Sequence, residues 1–372
     1  MVLVGKMSDD RARTDAAESL LQAAIEQRLF PAACAEMGSS HGVLWHRPLG
    51  HLTFDPGAPR AAVDTVFDLA SLTKPLATLH VILSLVEAGT PRLEEAIMRF
   101  FPEWRGPDRE QVTVLDLLQH TAGLPARLLD RPPLSRRAFE HDICTLPLEY
   151  APRSRSIYTD LGFILLGFIA EICGGRTLAD QTQRLFDAAF AADHDAGPAD
   201  ARLFTRSPED ARHRTAPTTP LPEDERRGRR LVAAVHDNYA ALLGGFAGHA
   251  GLFGTAAGVG SLARIVLRAH GGEADLPSPF LPAVIRRAAS RGEVPGGSRA
   301  MGWDTMLPTS SCGTRLSTAA FGHVGFTGTS LWIDPVRDRY YVLLTNRVCE
   351  GGTSEEMQQI RRAFHDTLAA DL

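Results

Sequence analysis

Lysine is almost absent from this chain: of 39 basic residues only Lys6 and Lys74 are lysines, and all the others are arginine. Arginine keeps its proton throughout the pH range of proteins, whereas a buried lysine can lose it and act as a base. Lys6 lies in an N-terminal tail that reads as frayed. Lys74 lies in an apolar neighbourhood, which singles it out. Positive charge is not in excess either: 44 acidic residues bring the net charge to −5, so no nucleic-acid surface is implied.

Cysteine is also sparse. Five residues (Cys34, Cys144, Cys173, Cys312 and Cys349) form no C-x-x-C pair, which argues against a disulfide framework or a zinc site. Long hydrophobic runs are lacking. The longest, residues 161–170, falls far short of the roughly 20 residues that span a bilayer, so no membrane partner is expected. The first apolar residues are broken by Lys6, Asp9, Asp10 and Arg11, leaving no h-region of a secretory signal. A cytoplasmic, reduced setting is the expectation.

What is present is a chain of 372 residues, 44% hydrophobic, enough for two domains or one large one with a sizeable core. Apolar spacing predicts an amphipathic helix over 16–27, strand-like runs over 32–54 around the turn 38–42, and a buried helix over 76–88 stopped by Gly89. Further helices are expected over 112–119 and 161–173, and an amphipathic one over 354–369. Residues 193–230 read as irregular surface whose position invites a lid, ending in a solvated charge run over 223–230. Glycine-rich residues 244–253 precede another helix, and 329–334 and 339–345 read as a hairpin. Strands near both termini with helices between them predict an α+β fold. An antiparallel sheet flanked by helices is assembled from residues 1–90 and 255–372, with an inserted, mainly helical region over 91–254.

Two glycine motifs are set aside. Gly38-x-Ser40-x-Gly42 matches a nucleophile elbow, but a strand follows where a helix is required, so the glycines serve a hairpin turn. Gly258-x-Gly260-x-x-Ala263 lacks the preceding strand of a dinucleotide site and reads as loop-to-helix glycines. His236-Asp237 and His249 read as hydrogen-bonded structural groups. No metal and no cofactor is implied.

Ser71-Leu72-Thr73-Lys74 opens the buried helix, placing Ser71 and Lys74 one turn apart, roughly 4.5 Å along the axis. A serine hydroxyl becomes a nucleophile only when a neighbouring base takes its proton. Pro75 disfavours helical geometry at Lys74, so a distorted first turn is expected.

With Ser71-x-x-Lys74, Tyr158-Thr159-Asp160 and His323-Val324-Gly325 in this order, the chain resembles the serine β-lactamases and penicillin-binding proteins. It is most similar to the class C-related branch of esterases and DD-peptidases. Residues 112–125, 156–167 and 322–335 share the likeness, which extends over roughly 65–346. The resemblance implies that Ser71 is acylated, that Lys74 and Tyr158 share the proton, and that Tyr158 is the base and the donor to the leaving group. It also implies an oxyanion hole from the backbone N–H groups of Ser71 and Phe326, the latter following the third motif on an edge strand. Asp160 stands where β-lactamases usually carry Asn, which would hold Lys74 cationic. His323 and Val324 stand where Lys-Thr is usual, which predicts poor carboxylate recognition unless His323 is protonated below about pH 6.5. The expected activity is a serine hydrolase acting on small neutral esters or amides. A β-lactamase or D-alanyl-D-alanine carboxypeptidase is the alternative within enzymes. A non-catalytic binding protein of the same fold is disfavoured by the joint presence of Ser71, Lys74 and Tyr158. Nothing in the sequence sets the oligomeric state.

Overall fold

The computed structural model describes residues 2–128, 133–193 and 201–370. Strands β1 (Ala32–Ser39), β2 (Gly42–Gly50), β3 (Phe67–Asp68), β4 (Leu203–Phe204), β5 (Phe253–Gly254), β6 (Asp304–Thr305), β7 (Phe321–Val324), β8 (Ser330–Asp334) and β9 (Arg339–Thr345) form two sheets. The larger, antiparallel throughout, has the order β2-β1-β9-β8-β7-β6, and β3, β5 and β4 form a small one.

The central pair β1 and β9 is buried on both faces, in keeping with their mostly apolar sequences, Glu36 being the one charged residue buried within them. Cys34, Tyr340, Val342 and Leu344 face one core, and Ala33, Ala35, Met37, Tyr341 and Leu343 the other. Helices α1 (Val2–Glu26) and α10 (Ser354–Leu368) pack together over the second face, contributing Leu21, Phe364 and Leu368. The first face is covered by α8 (Ala256–Gly271) through Val259, Leu262 and Val266.

The remaining helices are α2 (Leu79–Glu87), α3 (Val114–Leu118), α4 (Arg136–Thr145), α5 (Asp160–Gly174), α6 (Leu178–Ala191), α7 (Asn238–Leu242) and α9 (Pro282–Ala289). α5 is apolar on every side and buried from Asp160 to Ala170, packed among α2, α3 and α6. One continuous core runs from these helices to the sheet face beneath α8. Among the described residues no single helix is long and apolar enough to cross a membrane.

Several local expectations need correction. Residues 51–54 form no strand; His51 makes one bridge to Arg60 and the chain then bends away. α1 begins at Val2, well before the amphipathic spacing starts, in a stretch that holds no proline to interrupt it. Gly258 and Gly260 lie inside α8, not in a loop before it, and a Cβ at Gly260 would run into the Glu36 carboxylate on β1. Ser40 is confirmed in the β1–β2 turn, held by Asp338. The charge run over 223–230 is exposed at most positions, as expected, but it is also tethered: Arg230 pairs with Asp55 and Glu350, and Arg226 with the buried Asp224. Part of the irregular region, 194–200, lies outside the described residues.

Candidate active site

β3 ends at Asp68 and leads into a tight 3-10 turn, Ala70–Leu72, followed by a π turn, Lys74–Thr78, before α2 begins. Pro75 offers no N–H to an ordinary helical turn, and the Leu79 amide reaches back five residues to the Lys74 carbonyl. Ala70 is left-handed, with φ +48°, a strained conformation for a residue with a side chain. Its amide donates to Asp68 Oδ1 at 2.8 Å, while Asp68 Oδ2 accepts from the His236 amide at 2.6 Å. Thr327 and Thr329 donate to the carbonyls of Asp68 and Leu69 at 2.7 and 3.1 Å. These bonds hold the strained turn that presents Ser71.

Tyr158 precedes α5 in an extended segment fixed by its neighbours. Thr159 caps α5 by accepting from the Leu161 amide and donates to the Pro125 carbonyl, while its own amide donates to His120 Nδ1. The Asp160 amide donates to the Ala126 carbonyl at 3.1 Å. Tyr158 Oη consequently lies 2.6 Å from Ser71 Oγ. Lys74, fully buried, uses all three ammonium hydrogens: to Ser71 Oγ at 3.1 Å, Asp160 Oδ1 at 2.7 Å and the His249 carbonyl at 3.0 Å. Tyr158 also donates to Asp160 Oδ1, at 3.2 Å.

Burial works against the charge on Lys74, but the charge of Asp160 beside it outweighs burial and holds the ammonium above its usual range. Burial, reinforced by Asp160, also raises Tyr158, against the opposing pull of Lys74. The resting pair is therefore ammonium and phenol. Asp160 has a further partner, Arg127, whose Nη1 lies 3.4 Å from Oδ2 and 3.2 Å from Asp237 Oδ2. Asp237 in turn accepts from His249 Nε2 at 2.8 Å.

The group opens into a cleft of about 600 Å³, and Gly325 and Phe326 line its rim beside His323. A Cβ at Gly325 would meet Thr329, the Leu69 carbonyl and Ala70, so only glycine lets the end of β7 approach the turn that carries Ser71. β7 is not the outermost strand, because β6 pairs with it. That pairing covers Phe321 and Gly322, and among the described residues the His323 end stays unpaired on that side. His323 is buried, and burial, with Arg299 and Lys74 nearby, holds its imidazole neutral well below the usual value. Its Nδ1 lies 2.8 Å from the Val324 carbonyl, an assignment that makes Nδ1 the protonated nitrogen. Protonation near pH 6.5, expected from the sequence, is thus opposed by the site.

The structure brings Ser71, Lys74, Tyr158, Asp160, His323, Gly325 and Phe326 to one place. Sequence reasoning missed Asp68, Arg127 and Arg299, all at or behind the cleft, while Asp237 and His249, expected as hydrogen-bonded structural groups, are bonded to each other there. Leu221 and Glu223, from the irregular region, also reach its wall.

A family model described as Beta-lactamase matches residues 20–363. Proteins named putative D-alanyl-D-alanine carboxypeptidase from Salmonella gallinarum and Escherichia coli are 29% and 28% identical, covering 77% of this chain and 71% and 70% of their own. Among solved structures, a β-lactamase/D-alanine carboxypeptidase from Pseudomonas syringae superposes with a TM-score of 0.74 at 15% identity, covering 97% of this chain and 99% of that one. EstCE1, a hydrolase with promiscuous acyltransferase activity, gives 0.72 at 19% identity over 96% and 99%. At such identities the structures speak for the fold alone, which is the one expected. The chain belongs to the beta-lactamase family, and it is a serine hydrolase of that family.

Proposed function

We propose that the protein hydrolyses esters or amides through an acyl-enzyme formed on Ser71. The observation that carries this reading is the placement of Ser71 Oγ between Tyr158 Oη at 2.6 Å and Lys74 Nζ at 3.1 Å. Lys74, held cationic by Asp160, has no free lone pair, so Tyr158 takes the serine proton. Its phenolate is the minor form that the Lys74 ammonium stabilises. As Oγ bonds to the substrate carbonyl carbon, the oxyanion is received by the amides of Ser71 and Phe326. Tyr158 returns the proton to the leaving group as its bond breaks, and water then cleaves the acyl ester by the same path in reverse. Small neutral esters or amides suit the third motif, because His323 is held uncharged and Val324 has no hydroxyl.

One observation favours a second reading, a carboxylate-bearing substrate of the kind in the curated relatives' names. Arg299, Arg347 and Arg361 line the cleft, and among the described residues none is ion-paired with an acid. Hydrolysis of a chromogenic short-chain ester, wild type beside Ser71→Ala, tests the first reading. Loss of turnover in the variant supports it, and turnover by both removes Ser71 from the chemistry. Repeating the assay with a matched ester carrying a carboxylate, and with Arg299→Gln, separates the two substrates. A carboxylate preference that Arg299→Gln abolishes selects the second.

A further inference from the structure

We infer that Arg127 is a positioning residue of this site: it clamps Asp160 to Asp237 and draws off part of the Asp160 charge that otherwise binds Lys74 and Tyr158. The inference rests on the acyl-enzyme reading above and concerns how that reading works with an acid at position 160.

The geometry is a closed ring. Asp160 uses Oδ1 for Lys74 and Tyr158, at 2.7 and 3.2 Å, and turns Oδ2 toward Arg127 Nη1 at 3.4 Å. The same nitrogen lies 3.2 Å from Asp237 Oδ2, and Nη2 donates to Asn238 Oδ1 at 2.7 Å. The guanidinium lies over the Tyr239 ring at 4.1 Å, which fixes its plane. Asp237 Oδ1 accepts from His249 and from the Ala240 amide, both at 2.8 Å, and the His249 carbonyl returns to Lys74. Two acids and two cations alternate around this ring. Without Arg127, two buried carboxylates would face each other across the gap it fills, and like charges so placed raise the cost of keeping either ionised. Arg127 is also the most exposed member of the ring, with 39% of its side chain accessible, and it lines the cleft.

The consequence falls on Tyr158. Its charged and titratable neighbours are Lys74 and Asp160, Arg299 with its guanidinium 5.2 Å from the ring centre, and the rings of His120 and His323 at 5.0 and 5.9 Å. Asp160 is the one anion among them, and it opposes release of the phenol proton. A cation on its far oxygen weakens that opposition while leaving the Lys74 bond in place.

The test is the pH profile of ester hydrolysis for wild type, Arg127→Gln, Arg127→Lys, Asp160→Asn and the double variant Arg127→Gln/Asp160→Asn. Arg127→Gln should move the acid limb of kcat upward by about one pH unit, a loss of about tenfold in kcat at neutral pH with KM little changed. Arg127→Lys should restore most of it. Asp160→Asn removes both the anion that opposes loss of the phenol proton and the anion that holds Lys74 charged, so its own profile is the reference, and in that background Arg127→Gln should add little, because the charge it offsets is gone. An unmoved limb in Arg127→Gln overturns the inference. So does an equal effect with and without Asp160, or one confined to KM, either of which makes Arg127 a substrate contact. If Arg127→Gln fails to fold, Arg127→Met compared with and without Asp160→Asn decides in the same way. These outcomes are distinct from failure of the underlying reading, which shows as hydrolysis that survives Ser71→Ala.

Discussion

The carboxylate of Asp68 holds the amide of Ala70 at 2.8 Å, and with it the left-handed residue from which Ser71 projects. The other Asp68 oxygen holds the His236 amide, next to Asp237, so one buried side chain joins the nucleophile turn to the opposite cleft wall. Asp68→Asn replaces one acceptor oxygen with a donor that faces a backbone N–H. We expect a stability loss of about 1–3 kcal/mol and a fall in kcat of about tenfold or more, read by thermal unfolding and steady-state kinetics. A lowered melting point with unchanged kcat would make Asp68 a structural anchor only.

Lys74→Arg keeps a positive charge but should lower kcat by about 10²- to 10³-fold. The three hydrogens of Lys74 point to Ser71, Asp160 and the His249 carbonyl, a pyramidal arrangement in a fully buried site. A planar guanidinium cannot match it. Near-normal turnover in this variant would show that any cation serves.

His323 should play no part as a cation. Burial and the neighbouring Arg299 and Lys74 keep its imidazole neutral well below the usual value. The ratio of rates on a carboxylate-bearing and a neutral ester should therefore stay flat between about pH 8 and 5.5. A ratio that climbs steadily as pH falls through 6.5 would place the charge on His323 after all.

Stability should carry its own pH signature from the sheet. Glu36 lies on β1 beneath α8, accepting from Tyr340 Oη at 2.8 Å, and burial raises its carboxyl to about 7. Because this lies above the usual 4.5, the folded state holds the proton more tightly than the unfolded state. The resulting stability is complete below about pH 4.5 and is lost as pH rises through 7, up to about 3 kcal/mol in all. Asp68, raised by burial to about 6, adds to the same slope at lower pH. Denaturant midpoints of wild type and Glu36→Gln at pH 5 and 8 check this: the variant should lose most of the difference between the two.

Much of the fold and part of the site were legible because local sequence carries them. The hairpin 329–345, the glycine stop at 89 and the apolar helix over 161–173 follow from period and punctuation, and the three short motifs each hold chemistry-bearing residues a few positions apart. What escaped notice acts across long separations. Arg127 meets Asp237 over 110 residues and Asp68 meets His236 over 168, through loops without periodicity. In a chain so rich in arginine, one more arginine has no contrast, although an acid inside the apolar stretch Val66-Phe67-Asp68-Leu69 was a signal available to be read. The distorted first turn expected from Pro75 is present, but its form, a π turn over 74–78, was not legible, because proline shows which hydrogen bond is lost and not which one replaces it.

The bonds from Thr327 and Thr329 to the carbonyls of Asp68 and Leu69 link segments about 260 residues apart, and β1 joins β9 over a still longer stretch of chain. Neither Ser71 nor Phe326 can be in position until both ends of the polypeptide have met. Catalytic competence is therefore a late event in the life of each molecule: recovery of turnover during refolding should lag the return of helical signal, because helices form locally while the last sheet strands must close the largest loops.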